Sequence, residues 1–471
     1  GSIPSPPANR TRVEPRDPGV IGAVVLAAGK GTRLRSSRAK VLHEVAGRSL
    51  LGWALEALRP LDLDRVVVVV GHQADDVAAA AEAMDVPGLV TVVPEPQNGT
   101  GHGLDEVLVL PGDVPASTTE TLVRLRADRG DGAASVLTTR LDDPSGYGRI
   151  VRDDDGNVSA IVEHRDATDA QRAIDEVNTA MFAFRTPDLL AALSSLTTDN
   201  AQGEEYLTDT VAALSGDGGV RATEAAPDEV SGVNDMAQLA EVEAVLRQRI
   251  LSRHMAAGVR IVDPATTYVD ADVVIEADAT VLPGTMLEGR THIAAGATVG
   301  PHSRLVDTVV GEGATVTYTV ATETRIGPEA TVGPYTHLRT GTVLERGSKA
   351  GGFVEMKKAH IGEGSKVPHL SYVGDAEVGR GVNLGAGTIT VNYDGFEKHT
   401  TTIGDGAFVG SDSMLVAPID IGTGAFVGAG STITTDVPAD ALVVERAQPR
   451  IIDGWAARRR ARHERDHERE E

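Results

Sequence analysis

An aliphatic residue returns at every sixth position through much of the second half of the chain. Ile275, Val281, Leu287, Ile293, Val299 and Leu305 keep this interval, and it resumes as Ile403, Val409, Leu415, Ile421, Val427 and Ile433. A period of six fits neither the 3.6 of a helix nor the 2 of a flat strand. It marks a parallel β-helix, in which each short strand covers one flat face before the chain turns a corner. With three faces to a coil, one circuit takes about 18 residues, and stacked coils pile their aliphatic side chains into one core. Gly284, Gly296, Gly300, Gly404, Gly410, Gly422 and Gly428 fall where the bends belong. Between the two runs the solenoid is interrupted.

The first half carries a different rhythm. Residues 20–26 form a continuous apolar run, 49–58 an amphipathic helix, 65–70 a buried strand, 74–84 a helix and 89–93 another strand. Alternating strands and helices predict an α/β, Rossmann-like domain with a largely parallel sheet, and ligands at the carboxyl ends of its strands. Over residues 238–256, Leu239, Val242, Val245, Leu246, Ile250 and Leu251 make a long helical stripe. The chain therefore divides into a Pro-rich polar tail without fixed structure (1–19), an α/β domain (20–236), a linking helix (237–258), a left-handed β-helix (259–455) and a solvated charged tail (456–471).

Composition narrows the function. An apolar share of 41% excludes global disorder, and aromatics at 3% suit a narrow solenoid interior filled by Val, Ile, Leu and Ala. Forty-four basic against 68 acidic residues leave a formal charge of −24, which disfavours general binding to nucleic acid or anionic membranes. Anionic ligands must then be held by local basic clusters. The absence of cysteine removes disulfide and thiolate chemistry and fits a cytoplasmic protein. No apolar run has transmembrane length.

The first apolar run ends in Ala27-Ala28-Gly29-Lys30-Gly31-Thr32-Arg33-Leu34, a glycine loop after a strand, where amide groups and cations can face phosphate oxygens. Together with Lys40, this LAAGKGTRL string resembles the signature of sugar-1-phosphate nucleotidyltransferases. Gly99-Thr100-Gly101-His102 and the strand-end pair Gly112-Asp113 extend the resemblance, and Asp113 is placed to hold Mg²⁺. Further on come Gly146-Tyr147-Gly148-Arg149, Ile161-Val162-Glu163, Glu176-Val177-Asn178-Thr179, a run from Asn200 to Asp209, and Gly232-Val233-Asn234. This series resembles the bifunctional N-acetylglucosamine-1-phosphate uridyltransferase/glucosamine-1-phosphate acetyltransferase family. The resemblance implies UTP and phosphate contacts at Ala28, Gly29, Gly31, Arg33, Lys40, Gly99 and Thr100. It also implies a sugar-phosphate pocket at Gly148, Glu163, Asn178 and Asn234, with Mg²⁺ on Asp113 and Asn234.

The solenoid carries the acetyltransferase half of the same likeness, in Thr336-His337-Leu338-Arg339, Phe353-Val354-Glu355-Met356-Lys357-Lys358, His369-Leu370-Ser371-Tyr372, Asn383-Leu384-Gly385-Ala386 and Asn392-Tyr393-Asp394-Gly395. By resemblance Arg339, Lys357, Tyr372, Asn383 and Lys398 hold glucosamine-1-phosphate, and His369 is the catalytic base. Ala386, Asn392, Tyr393, Ser411, Ala429 and Arg446 line the acetyl-CoA site. The family also implies a homotrimer with small-molecule partners only, and a role in cell-wall precursor synthesis.

Three departures stand out. Ala39 precedes Lys40 where the family has proline, Ala180 replaces a glycine after Thr179, and Pro94 stands where the family places a uracil-reading glutamine, with Gln97 nearby. Four residues separate His102 from the Val107 strand, where the family has a helix, and a parallel crossover needs a dozen or more. Either that segment lies outside this sequence or it has been lost. Two other readings are compatible with these departures: an acetyltransferase with an impaired uridyl half, and a non-catalytic scaffold that binds nucleotide sugars.

Overall fold

Strand β1 (Ile21–Ala27) is paired in parallel on both sides, with β2 (Arg65–Val70) and with β4 (Glu106–Pro111). The computed structural model describes residues 19–93, 104–198, 205–216 and 219–467. It separates into two units, 1–250 and 251–471, with the boundary inside one long helix.

In the first unit β3 (Leu89–Val92) extends the parallel sheet beyond β2. Beyond β4 the sheet continues through β8 (Glu176–Arg185), antiparallel to β4, then β5 (Ala134–Arg140) and β9 (Val220–Glu224). A hairpin of β6 (Arg149–Arg152) and β7 (Val158–Val162) hangs from β8. Helices α1 (Leu50–Leu58), α2 (Ala74–Glu82) and α3 (Thr119–Arg129) cover one face, where Val25, Val68 and Leu108 meet Leu51, Leu55 and Leu122. Ser49 caps α1 by accepting from the Gly52 amide, so the helix begins one residue later than its apolar pattern predicts. On the other face Val107, Val109, Val136, Phe182 and Phe184 pack against Ile150, Leu189 and Val211. That cover reaches Val24 of β1 and stops short of the end of β1 and of β3: Leu26 is 42% exposed and Val90 is 48% exposed.

The connection from β3 to β4 is the one whose shortness stands out in the sequence. Counted from the end of β3 it has thirteen residues, 93–105. Since β3 and β4 are parallel, it must pass two strands, about 14 Å at ~4.8 Å per strand, and also return along the strand length, so thirteen residues lie close to the dozen that such a crossover needs at least. Residues 94–103, including His102, lie outside the described residues. The expected unstructured tail 1–19 also falls almost wholly outside them.

Helix α6 (Met236–Ala256) takes the chain across the boundary; before it come the short helices α4 (Thr186–Leu193) and α5 (Asp209–Leu214). The second unit is a left-handed parallel β-helix of two- to seven-residue strands stacked in parallel register, so that Thr280 pairs with Thr298, Thr298 with Thr315, and Thr315 with Thr331. All twelve aliphatics of the six-residue beat are buried to 5% exposure or less. The interruption that the pattern predicts does not occur. Buried side chains continue through Val310, Val316, Ala321, Ile326, Val332, Leu338 and on to Leu384, with the interval shortened from six to five at 305–310, 316–321, 321–326, 356–361 and 373–378. Each shortened step holds one non-glycine residue in the left-handed region: Asp307, Tyr318, Glu323, Lys358 and Asp375. A corner one residue shorter is closed by a backbone conformation that costs on the order of 1 kcal/mol or more. Only residues 392–400 leave the coil as a loop.

Inside, Thr and Ser sit two positions before many of the aliphatics and are fully buried. Their hydroxyls donate to carbonyls at the preceding corner, as in Thr285 to Leu282 O, Thr388 to Gly385 O and Ser413 to Gly410 O, each 2.7 Å. Burial of these hydroxyls is thereby satisfied. Outside, ion pairs such as Arg304–Glu288 (2.7 Å) and Arg380–Glu363 (2.8 Å) climb from coil to coil, exposed and individually weak. The strands end at Val443, and after a short run the chain forms an exposed helix α7 (Trp455–His467).

Leu305 stacks between Leu287 and Ala321 in the neighbouring coils. Leu305→Ala is expected to destabilise the second unit by about 3 kcal/mol, seen in calorimetry as a lowered transition for that unit alone. An unchanged transition would contradict the stacked-core account.

Candidate functional site

At the end of β1 the chain turns through Gly31, whose φ of 59° and close approach to Lys40 leave no room for a side chain. The turn Thr32–Leu34 presents Arg33 beyond the strand ends. There Asn234 Oδ1 accepts from Arg33 Nη2 at 2.7 Å and from Lys40 Nζ at 2.9 Å, while Lys40 also forms an ion pair with Asp113. A backbone bond from Val233 N to Asp113 O (3.0 Å) ties the two loops, and Gln238 Oε1 holds the Asn234 amide at 2.8 Å. The oxygens of Asp113 and Asn234 therefore converge on one cation, the Lys40 ammonium. Two oxygen ligands in one place fit Mg²⁺, which takes few protein ligands and fills its shell with water and phosphate oxygens. Among the described residues no cluster of three or more acidic or histidine side chains offers a fuller cage. Ala39, in the family's proline position, is buried and leaves the Lys40 turn intact.

Next to this lies the hairpin pocket. The Asn178 amide donates to Gly148 O at 2.9 Å, and Asn178 Oδ1 accepts from the Ala180 amide at 2.9 Å. Ala180 is held at φ 60° in a bulge of β8, so the family's glycine answers a real backbone demand and the alanine here carries strain. Glu163 accepts from Thr208 Oγ1 at 3.3 Å. Burial, reinforced by Asp166 and Asp209, pushes its carboxyl above the ordinary range despite that bond. Gly99, Thr100, Pro94 and Gln97, and the first part of the run after Asn200, lie outside the described residues.

On the solenoid, parallel pairing stacks His337, Glu355 and Tyr372 on one face and places Lys357 beside Gly374. Arg339 Nη1 donates to Glu355 at 2.8 Å. Lys398 returns on the 392–400 loop to lie against Lys357; this neighbour, and then Arg339, push the Lys357 ammonium below the ordinary lysine range, with Asp375 opposing them. Asn392, buried at the root of the loop, donates from Nδ2 to Asp375 at 2.5 Å. A Cβ on Gly374 would strike both the Tyr372 hydroxyl and Asn392, so only glycine lets these groups share the site. The loop is braced by Asp394, whose carboxylate accepts from the Phe396 and Glu397 amides and from His399. Those bonds hold its pKa well below the ordinary carboxylate range.

Ala386, Ser411 and Ala429 recur at one corner of successive coils, making a track of small side chains, and Arg446 Nη1 donates to Ala429 O at 3.0 Å. Asn383 stands on the adjacent face, paired with Lys366 and Phe408. Tyr393 bonds its own loop through Gly395 O. His369 ends its strand beside Gly352, exposed, its imidazole without a hydrogen-bond partner among the described residues. Within one chain it is not joined to the cation cluster. Asp375, Glu355, Thr208 and Gln238 are site residues that the sequence reading passes over. Asp375 had a signal, an acid directly after Gly374 beside the basic motifs.

A MobA-like NTP transferase domain matches residues 23–204, and the bacterial transferase hexapeptide (six repeats) matches residues 400–435. The Bifunctional protein GlmU of Streptomyces coelicolor is 51% identical over 454 residues, covering 93% of this chain and 94% of its own. That of Streptomyces avermitilis is 50% identical with the same shares, and that of Corynebacterium glutamicum 47% over 456 residues, again covering 93% and 94%. The chain belongs to the GlmU family. It is a bifunctional enzyme that makes UDP-N-acetylglucosamine, acetylating glucosamine-1-phosphate from acetyl-CoA and transferring UMP from UTP to N-acetylglucosamine-1-phosphate. The acetyl-only and scaffold readings give way. Among the described residues no helix is long and apolar enough to cross a membrane.

The raised Glu163 pKa gives a signed expectation. A carboxyl whose folded pKa exceeds its unfolded one is penalised when ionised, so stability is lost as pH rises from the ordinary carboxylate range through the raised value. Glu163→Gln should raise the melting temperature of the first unit at pH 7.5 and lose that gain near pH 4. A variant less stable than the parent at pH 7.5 would reverse the assignment.

Proposed function

We propose that the two transfers run on two separate sets of side chains. In the first unit UTP lies along Ala28, Gly29 and Gly31, with Arg33, Lys40, Gly99 and Thr100 on its phosphates. Asp113 and Asn234 hold Mg²⁺, and Gly148, Glu163, Asn178 and Asn234 hold N-acetylglucosamine-1-phosphate. When bound, Mg²⁺ supplies neutralisation of phosphate charge. A sugar-phosphate oxygen attacks the α-phosphorus and pyrophosphate leaves, a reaction that asks little covalent help. The residues named align the two anions and offset their charge.

In the second unit Arg339, Lys357 and Lys398 take the phosphate of glucosamine-1-phosphate, with Tyr372 and Asn383 about the sugar. Ala386, Tyr393, Ser411, Ala429 and Arg446 take acetyl-CoA, and Asn392 fixes the acceptor near the thioester. His369 removes the proton as the amine nitrogen attacks the thioester carbonyl; the C–N bond forms, the C–S bond breaks and the thiolate of coenzyme A leaves. The observation that carries this reading is the gathering of three cations, two of them lysines near enough to perturb one another, on a chain of net charge −24. Such mutual repulsion is relieved by an anion.

A homotrimer in the cytoplasm completes the proposal. His302, Tyr318, Tyr335 and Phe353 stack up one corner at centroid spacings of 5.6, 5.4 and 5.1 Å, and the column ends at Leu370, next to His369. All five occupy the left-handed region, and Phe353 and Leu370 are more than 60% exposed. An exposed apolar column beside an unaccompanied catalytic base favours a neighbouring copy closing over both.

His369→Ala should lower acetyl transfer by about 10²–10⁴-fold, and Lys357→Ala should raise KM for glucosamine-1-phosphate, with uridyl transfer unchanged in both. Separate assays of the two half-reactions decide it: unchanged acetylation in His369→Ala removes the base, and parallel loss of both activities removes the two-site division.

A further inference from the structure

Among the described residues Arg149, 1% exposed, is the largest fully buried side chain, and it forms no ion pair, Asp143 acting on it only through its charge. Its Nη1 donates to Tyr147 O at 2.5 Å, its Nη2 faces His164 Nδ1 at 3.4 Å, and its Nε has no partner. Burial, helped by the charge of Arg172, pulls its pKa below the ordinary arginine range, and the charge of Asp143 offsets this only in part. An apolar side chain at this strand position would avoid that penalty. The use of the guanidinium therefore lies in where its N–H groups point.

They point at the two loops of the hairpin pocket. Tyr147 precedes Gly148, whose carbonyl receives the Asn178 amide, and His164 follows Glu163. Guanidinium offers donors only, so the ring nitrogen facing it must accept with its lone pair. The His164 ring proton is then on Nε2. His164 lines a cavity of about 500 Å³ together with Arg33, Gly146, Glu163 and Arg165, a space whose wall thus holds both the imidazole and a carboxylate acceptor.

We propose that His164 is a specificity-determining contact of the uridyl site, donating from Nε2 to an acceptor oxygen of the bound sugar phosphate, and that Arg149 is the positioning residue that sets its tautomer and ring orientation. This rests on the reading of Gly148, Glu163 and Asn178 as the sugar pocket. Glu163 and His164 together offer one acceptor and one donor side by side, a pairing suited to a sugar substituent, while Arg33 in the same wall is left for phosphate.

Uridyl-transfer kinetics of the full chain, with N-acetylglucosamine-1-phosphate varied, test it. His164→Phe should raise KM for the sugar phosphate by about five- to tenfold, the size of one lost hydrogen bond, with kcat, KM for UTP and acetyl transfer unchanged. His164→Gln, which restores an N–H, should recover most of the loss. Arg149→Met should raise the same KM, and the double variant should be no worse than His164→Phe alone, because both act through one contact. Additive effects, or a loss in Arg149→Met confined to thermal stability, would make Arg149 merely structural and overturn the proposal. Asn178→Ala separates the two levels. If it raises KM while His164→Phe does not, His164 falls and the pocket stands; if neither raises KM, the pocket reading falls with it.

Discussion

The second unit depends on the stacking of one coil's inward aliphatics on the next in parallel register. Val281 lies under Val299, Leu287 under Leu305 and Ile275 under Ile293, and the columns continue with scarcely any exposed member. Close packing of this kind leaves little freedom to slip, and a one-residue slip would turn the inward row outward. Outward side chains are therefore held at strand spacing from coil to coil. Arg339 and Lys357 belong to consecutive coils, so their approach is a consequence of the core beneath them. Like charges brought together by packing repel one another, and an anion between them would relieve that repulsion.

Strain is placed where the site needs it. Of the five shortened corners, two carry Lys358 and Asp375 in the left-handed region directly beside the cation cluster. Asp375 then reaches both Asn392 and Lys357, tying the loop to the coil. In the first unit the comparable device is electrostatic: Lys40 draws Asp113 and Asn234 together from loops far apart in sequence. Both sites are thus assembled around charge, with a rigid sheet or coil supplying the geometry.

The twelve residues of the six-residue beat announced the solenoid because their period is incompatible with other regular structures. The middle coils were harder to read, since five shortened steps replace six with five and several inward places are Thr or Ser, which carry no apolar signal. The site residues were legible as strings, such as Val354-Glu355-Met356-Lys357, and their partners were not. Nothing in the linear order says that Lys398 lies against Lys357 or that Arg149 faces His164, since each contact is made by folding of a loop or hairpin. Ala180 shows the reverse: the expected glycine was readable, and the structure supplies the backbone reason for it.

The central claim, that coil register together with the 392–400 loop gathers Arg339, Lys357 and Lys398 into a phosphate site, is tested most directly by a crystal structure with glucosamine-1-phosphate bound. The account predicts phosphate oxygens within hydrogen-bond distance of all three cationic side chains, with the coils unmoved. A sugar phosphate bound on the solenoid away from this trio, or a trio that separates when the ligand binds, would contradict it.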